Sequence, residues 1–251
     1  MLWYKSWLET RWRFLIGFAL ILCSAAGTVF SYPQVMKLLP LLPTNIGGEI
    51  GERIREAAEL ARSYRGFVWS HWFRQNLGQM ATLFAVLLGT AGLLSRSGGA
   101  LFTLSLPVSR QRLLGVRAAA GLAELLVLIF VPSLLIPMLS PAIQQSYGVG
   151  SVLIHSVCMF VAASVFFSLA FLLSTVFGDP WRPLLIALAL AFALSIVDQL
   201  FRLPPYSVFR VMSAESYFRT SKVPWIGLLA TAALSAALYY GAVANFARRD
   251  F

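Results

Sequence analysis

Six runs of mostly apolar residues, at about 14–32, 76–94, 118–139, 151–177, 183–201 and 223–244, occupy most of the chain. Each is close to the roughly 20 residues an α-helix needs to cross about 30 Å of hydrocarbon. No water is present there to satisfy the backbone, so only helices or a closed barrel can span, and the weak alternating pattern of barrel strands does not occur. The expected class is an all-α membrane protein, one transmembrane domain over residues 1–251 with six transmembrane helices. Charged residues make up 12% of the chain, against about 25% in water-soluble domains, which excludes a soluble globular protein. Pro132 and Pro137 are expected to kink the third span.

The net charge of +10 is spread over the loops, with no basic run of the kind that binds nucleic acid. It fits lipid headgroups and orientation in the bilayer, and the lipid bilayer is the expected surrounding. If the N-terminus is inside, Lys and Arg divide ten to each side. Six of the outer ten (Lys37, Arg53, Arg55, Arg62, Arg65, Arg74) fall in the long 33–75 segment beside Glu49, Glu52, Glu56 and Glu59, and without it the division is ten to four. Both termini are therefore expected in the cytoplasm.

Residues 3–13, WYKSWLETRWR, put Trp3, Tyr4, Trp7, Leu8 and Trp12 on one helical face and Lys5, Glu9 and Arg13 on another at i, i+4 steps, the pattern of an interfacial helix. Residues 14–22 have the apolarity of a signal-peptide core but no convincing cleavage site after them, so they read as a retained first span. The 33–75 segment opens with Pro33, Pro40, Pro43 and Gly47-Gly48, and then shows an amphipathic helix near 49–66 with Ile50, Ile54, Ala57, Ala61 and Tyr64 along one face. It reads as an extracytoplasmic cap, with Trp69, His71, Trp72 and Phe73 marking re-entry into the bilayer.

The polar interruption at 95–117, SRSGGALFTLSLPVSRQRLLGVR, has no acidic residue. Ser97, Gly98 and Gly99 break the preceding helix, Leu101, Phe102, Leu104 and Leu106 form a short apolar segment, and Pro107 stops it. Val108 and Ser109 then lead into a helix that opens with Arg110, Arg112 and Arg117. The stretch Leu104-Ser105-Leu106-Pro107-Val108-Ser109-Arg110 resembles the signature of permease subunits of ABC-2-type transporters. The N-terminal interfacial helix, the six-block hydropathy and the tail Asn245 to Phe251 extend the resemblance along the chain. It departs from that family at Arg96-Ser97-Gly98-Gly99, where relatives carry an acidic residue and a Gly-Thr pair.

That resemblance implies an elbow helix at 3–13 with Trp3, Tyr4, Trp7 and Trp12. It also implies a coupling helix, formed by Leu101, Phe102, Leu104, Leu106, Pro107, Val108, Ser109 and Arg110, that seats in a groove of a separate ATPase subunit. The implied assembly has two ATPase copies carrying ATP and Mg, and a second permease copy in a homodimer, in a bacterial inner (plasma) membrane. The first, second and fifth spans are the implied contact between copies, and Gly17, Gly78, Gly89, Ala187, Ala189 and Ala193 are small enough to allow close approach.

Glu124 and Asp198 are the acids inside the spans, where charge is costly and by default marks a pathway. The structural alternatives are a pair between Glu124 and Arg117 or another loop arginine, and one between Asp198 and Arg202 at i+4. His71 and His155 are expected at the outer interface. Cys23 and Cys158 lie in apolar runs and behave as small hydrophobes. Neither a metal spacing, a nucleophile elbow nor HExxH occurs. The P-loop lysine must follow glycine, whereas Lys5, Lys37 and Lys222 follow Tyr4, Met36 and Ser221. The chain is thus expected to bind no cofactor and catalyse no reaction itself. It reads as the permease of an ATP-driven exporter, or alternatively as a stand-alone ion- or proton-coupled carrier.

Overall fold

The computed structural model of the protein describes residues 2–41, 48–90, 110–201 and 207–248. Among them no strand occurs, and the helices are α1 (Leu2–Leu38), α2 (Gly48–Arg62), α3 (Tyr64–Phe67), α4 (Leu77–Gly89), α5 (Arg110–Leu139), α6 (Val149–Val176), α7 (Trp181–Phe201), α8 (Val208–Met212), α9 (Glu215–Thr220) and α10 (Trp225–Ala247). A π-helical stretch, Val68–Asn76, joins α3 to α4. Five helical stretches are long and apolar enough to cross a membrane, Ser6–Leu38, Gln111–Ile143, Val149–Val176, Trp181–Asp198 and Trp225–Ala247. The protein is a multi-pass, all-helical membrane protein. The expected second span is the shorter α4, which continues from the π-helical stretch.

α6 stands at the centre, with α4, α5, α7, α8 and α10 packed on it, and α1 lies along α5 and α4. Small residues make this packing possible. A Cβ on Gly89 of α4 would fall 2.5 Å from the backbone oxygen of Phe167, and one on Gly121 of α5 would fall 2.7 Å from the Phe167 ring. Hydroxyls and an amide tie α6 to α10 where no hydrophobic effect separates helix from lipid. Ser235 shares hydrogen bonds with Ser164 (3.1 Å) and Ser168 (2.9 Å), and Asn245 Nδ2 donates to Thr175 Oγ1 at 3.0 Å.

Several expectations are corrected here. The interfacial helix 3–13 and the first span are one uninterrupted helix, with no Gly or Pro between Leu2 and Ile16 to break it. That helix passes Pro33 and ends at Leu38, so the segment assigned to the cap from residue 33 begins as helix. The fifth apolar helix starts two residues earlier than expected, at Trp181, because Asp179 Oδ1 accepts from the backbone N–H groups of Trp181 (2.8 Å) and Arg182 (2.9 Å) and so caps it. Of the small residues assigned to contact between copies, Gly17 lies against Phe84, Gly89 against Phe167, Gly78 against the carbonyl of Phe73 in its own helical segment, and Ala187 is buried within the chain. Only Ala189 and Ala193 remain exposed.

The two ends of the bundle differ in construction. At one end α1 begins, α4 finishes and α5 starts. At the opposite end aromatic rings dominate. Trp69 stacks on Phe218 of α9 with centroids 4.2 Å apart, Arg65 lies over Phe218 and Arg74 over Trp69, and the Trp69 indole donates to the carbonyl of Ser213 at 2.9 Å. Exposed Arg219 bridges Glu215 and Glu56, joining α9 to α2, although ion pairs so exposed contribute no more than about 1 kcal/mol. Tyr147, in the turn before α6, is buried, and its hydroxyl has no partner among the described residues. Burial pushes its phenol well above the ordinary value, which keeps it neutral.

Candidate functional site

The end of the bundle where α1 begins is the candidate site, because the two helices there, α4 and α5, carry the polar interruption between them. The interruption's residues Leu101, Phe102, Leu104, Leu106, Pro107, Val108 and Ser109 lie outside the described residues. Arg110 is the first residue of α5. The arginine-rich opening expected after Pro107 is thus the first turns of the helix that goes on to become the third apolar span.

α1 meets both flanking helices through polar groups. On α5, Glu9 forms an ion pair with Arg117, and the Thr10 hydroxyl donates to Glu124 Oε1 at 2.5 Å. On α4, the Arg13 guanidinium donates from Nη1 to the carbonyl oxygen of Leu87 at 2.8 Å. That carbonyl belongs to the last turn of α4, where carbonyls have lost their intrahelical partner and a cation is favoured by the helix dipole. Glu9, Thr10 and Arg13 lie close together along α1, yet their side chains meet two different neighbouring helices.

Glu124 is 7% exposed, and its second oxygen, Oε2, has no partner among the described residues. The expected pair with Arg117 is not formed, because Glu9 takes that guanidinium. What the sequence reading missed is Thr10, a residue with no charge pattern to flag it. Its buried position beside an equally buried carboxyl is a product of how α1 lies on α5.

The other candidates are dispersed. Asp198, near the far end of α7, faces Arg210 of α8 with Nε 3.8 Å from Oδ1. The expected partner, Arg202, lies outside the described residues. His155 is not interfacial but 1% exposed. Its ring stacks on Phe73 with centroids 4.5 Å apart and meets Tyr217 edge-on. His71 stacks on Phe67 and shares a hydrogen bond with Ser70. Trp3, Tyr4, Trp7 and Trp12 are all exposed along α1, in keeping with a lipid-facing surface. Among the described residues no group of three or more His, Cys, Asp or Glu side chains is placed to hold a metal ion. Cys23 and Cys158 are both free. No family model, curated protein or solved structure matches the chain.

Proposed function

We propose that the chain is the transmembrane permease subunit of an ATP-driven ABC exporter, with the coupling loop 95–117, and within it Leu101 to Arg110, docking a separate ATPase. The observation that supports this reading is the LSLPVSR stretch itself, together with the helices on either side of it in the sequence. The two helices that bracket it, α4 and α5, both pack on the central α6, so a force applied to the segment would reach the bundle directly. Its resemblance to ABC-2 permeases and the absence of a P-loop lysine call for the ATPase to be a partner chain.

On this reading the π-helical stretch with α4 is the sixth span, both termini are cytoplasmic in a bacterial inner membrane, and a second copy faces the first. Closure of two ATP-loaded ATPase subunits would rock the paired bundles between inward and outward openings. An ATPase pair with two equivalent grooves calls for two such segments, hence two permease copies. The exposed face of α7 that carries Ala189 and Ala193 is where the second copy is placed. A stand-alone carrier would bring its membrane charges to a common site, whereas Glu124 meets Thr10 of α1 and Asp198 faces Arg210 of α8.

The docking test is the double substitution Leu104→Asp with Arg110→Glu, which removes an apolar knob and reverses a charge. The protein is expected to insert normally and to lose at least tenfold of its co-purifying ATPase. Wild-type recovery of the ATPase with the double variant overturns the docking assignment. Topology has its own check, since a reporter active only outside the cytoplasm should stay silent when fused after Phe251. Activity of that reporter would reverse the orientation.

A further inference from the structure

We propose that Arg65 and Arg74 bind the phosphate group of an anionic phospholipid at the end of the bundle opposite the start of α1. Such a site goes beyond the transport reading and requires only that the chain be embedded in a membrane. The two arginines flank one aromatic stack. The Arg65 guanidinium lies over the Phe218 ring and that of Arg74 over the Trp69 indole, each 5.7 Å from the ring centroid, and the two rings are parallel to within 5° at 4.2 Å. Trp69 is fully buried and its N–H is held by the Ser213 carbonyl, so the platform is fixed. A guanidinium laid on a ring uses its flat face there and keeps its in-plane N–H donors, which match two oxygens of a phosphate.

Both arginines are exposed, and no carboxylate among the described residues pairs with either. At this end Arg219 takes Glu215 and Glu56, and Arg210 takes Asp198. Depth decides what the missing anion is. Trp72 and Asn76, two residues to either side of Arg74, donate to Ser133 of α5 and Thr28 of α1, both at 3.3 Å. Ser133 lies six residues before its apolar run ends at 139, and Thr28 four before its run ends at 32. At 1.5 Å per residue that puts the backbone around Arg74 about 6 to 9 Å inside the hydrocarbon. An exposed arginine at that depth carries its charge outward along its side chain to the headgroup layer, where lipid phosphates are the anions at hand. Gln75, also exposed, adds an amide beside it, and Arg65 brings a second positive charge to the same rim. Two cations there favour a headgroup of net negative charge over a zwitterionic one, whose amine they repel.

The experiment is a native mass titration of the full chain in detergent with phosphatidylglycerol, with phosphatidylcholine and, separately, with inorganic phosphate. Wild type is expected to bind the first phosphatidylglycerol about tenfold more tightly than the first phosphatidylcholine. Arg65→Gln/Arg74→Gln should lose that preference, and Arg182→Gln, which removes an exposed arginine paired with Asp179 at the other end of the bundle, should keep it. Equal binding of the two lipids by wild type, or an undiminished preference in the double variant, overturns the site. Inorganic phosphate that displaces phosphatidylglycerol mole for mole overturns the lipid assignment in favour of a free anion. A double variant that keeps its lipid preference and loses self-association assigns the arginines to a second copy and overturns it as well. A second measurement needs no variant and so is independent of any folding defect. Phosphatidylglycerol with a photoreactive headgroup, in nanodiscs holding the wild-type chain, should label 62–79 well above 221–230, a stretch at the same end with Lys222 and Trp225 exposed. Labelling no higher at 62–79 than at 221–230 overturns the proposal.

Discussion

Trp69→Ala should lower the stability of the detergent-solubilised protein by about 4 kcal/mol, the largest single effect expected at the end of the bundle opposite the start of α1. The indole is fully buried, it lies nearly parallel to the Phe218 ring with an interplanar angle of 5°, and its N–H satisfies the Ser213 carbonyl. Truncation would leave a cavity beside Phe218, remove the hydrogen bond and deprive Arg74 of the ring face over which it lies. Because α8 and α9 are short, with five and six residues, they cannot hold their place by helix propensity. Their attachment depends on this stack, on Tyr217 against His155, and on contacts with α6 and α10. Unfolding titration gives the magnitude, and limited proteolysis within 207–221 locates it. A double-mutant cycle of Trp69→Ala with Phe218→Ala should return a coupling of about 1 kcal/mol, as ring pairs contribute beyond their buried area. Trp12→Ala is the control, for Trp12 is 65% exposed on α1. If the Trp69 and Trp12 variants unfold at the same denaturant concentration, the stack does not hold the end together.

Gly89→Ala is expected to cost about 3 kcal/mol, at the upper end of what overpacking a close contact does. The added methyl would lie 2.5 Å from the Phe167 oxygen, 3.0 Å from Ala170 Cβ and 3.2 Å from the Phe171 nitrogen. Two of those three atoms are backbone, which cannot rotate away, so α4 and α6 must separate. Gly27→Ala supplies the contrast. Nothing lies within 4 Å of a Cβ there, so alanine's better helix propensity should stabilise by up to about 1 kcal/mol. Gly227→Ala falls between them, because its near neighbour is the Val211 side chain at 2.5 Å and not main chain. Parallel unfolding curves of the three variants in one detergent rank them, and equal midpoints for Gly89→Ala and Gly27→Ala would show that the two helices are not in the described contact.

The sequence by itself determined that this chain is helical and membrane-embedded. Runs such as 151–177 are long enough to cross hydrocarbon and too apolar for water, and a backbone in lipid must satisfy itself, so length and composition decide the class before any packing is known. The cap at Asp179 went unread, and its carboxylate starts α7 two residues before the apolar run suggested. Partners were not legible. Glu9 and Arg13 read as one i, i+4 charged face, yet their side chains leave each other for Arg117 on one helix and the Leu87 carbonyl on another. Glu124 was readable as a costly membrane acid, but the choice of Thr10 over Arg117 depends on where α1 lies along α5, and no periodicity in either helix encodes that offset. His155 read as interfacial because it opens an apolar run, and it is buried because α9, some sixty residues later, folds back to place Tyr217 against it. Gly17 and Gly89 read as surfaces for another subunit and are filled by Phe84 and Phe167 of the same chain. Periodicity reports which residues of one helix share a face; which neighbour that face meets is set by contacts between segments far apart in the chain, and only the tertiary structure decides it.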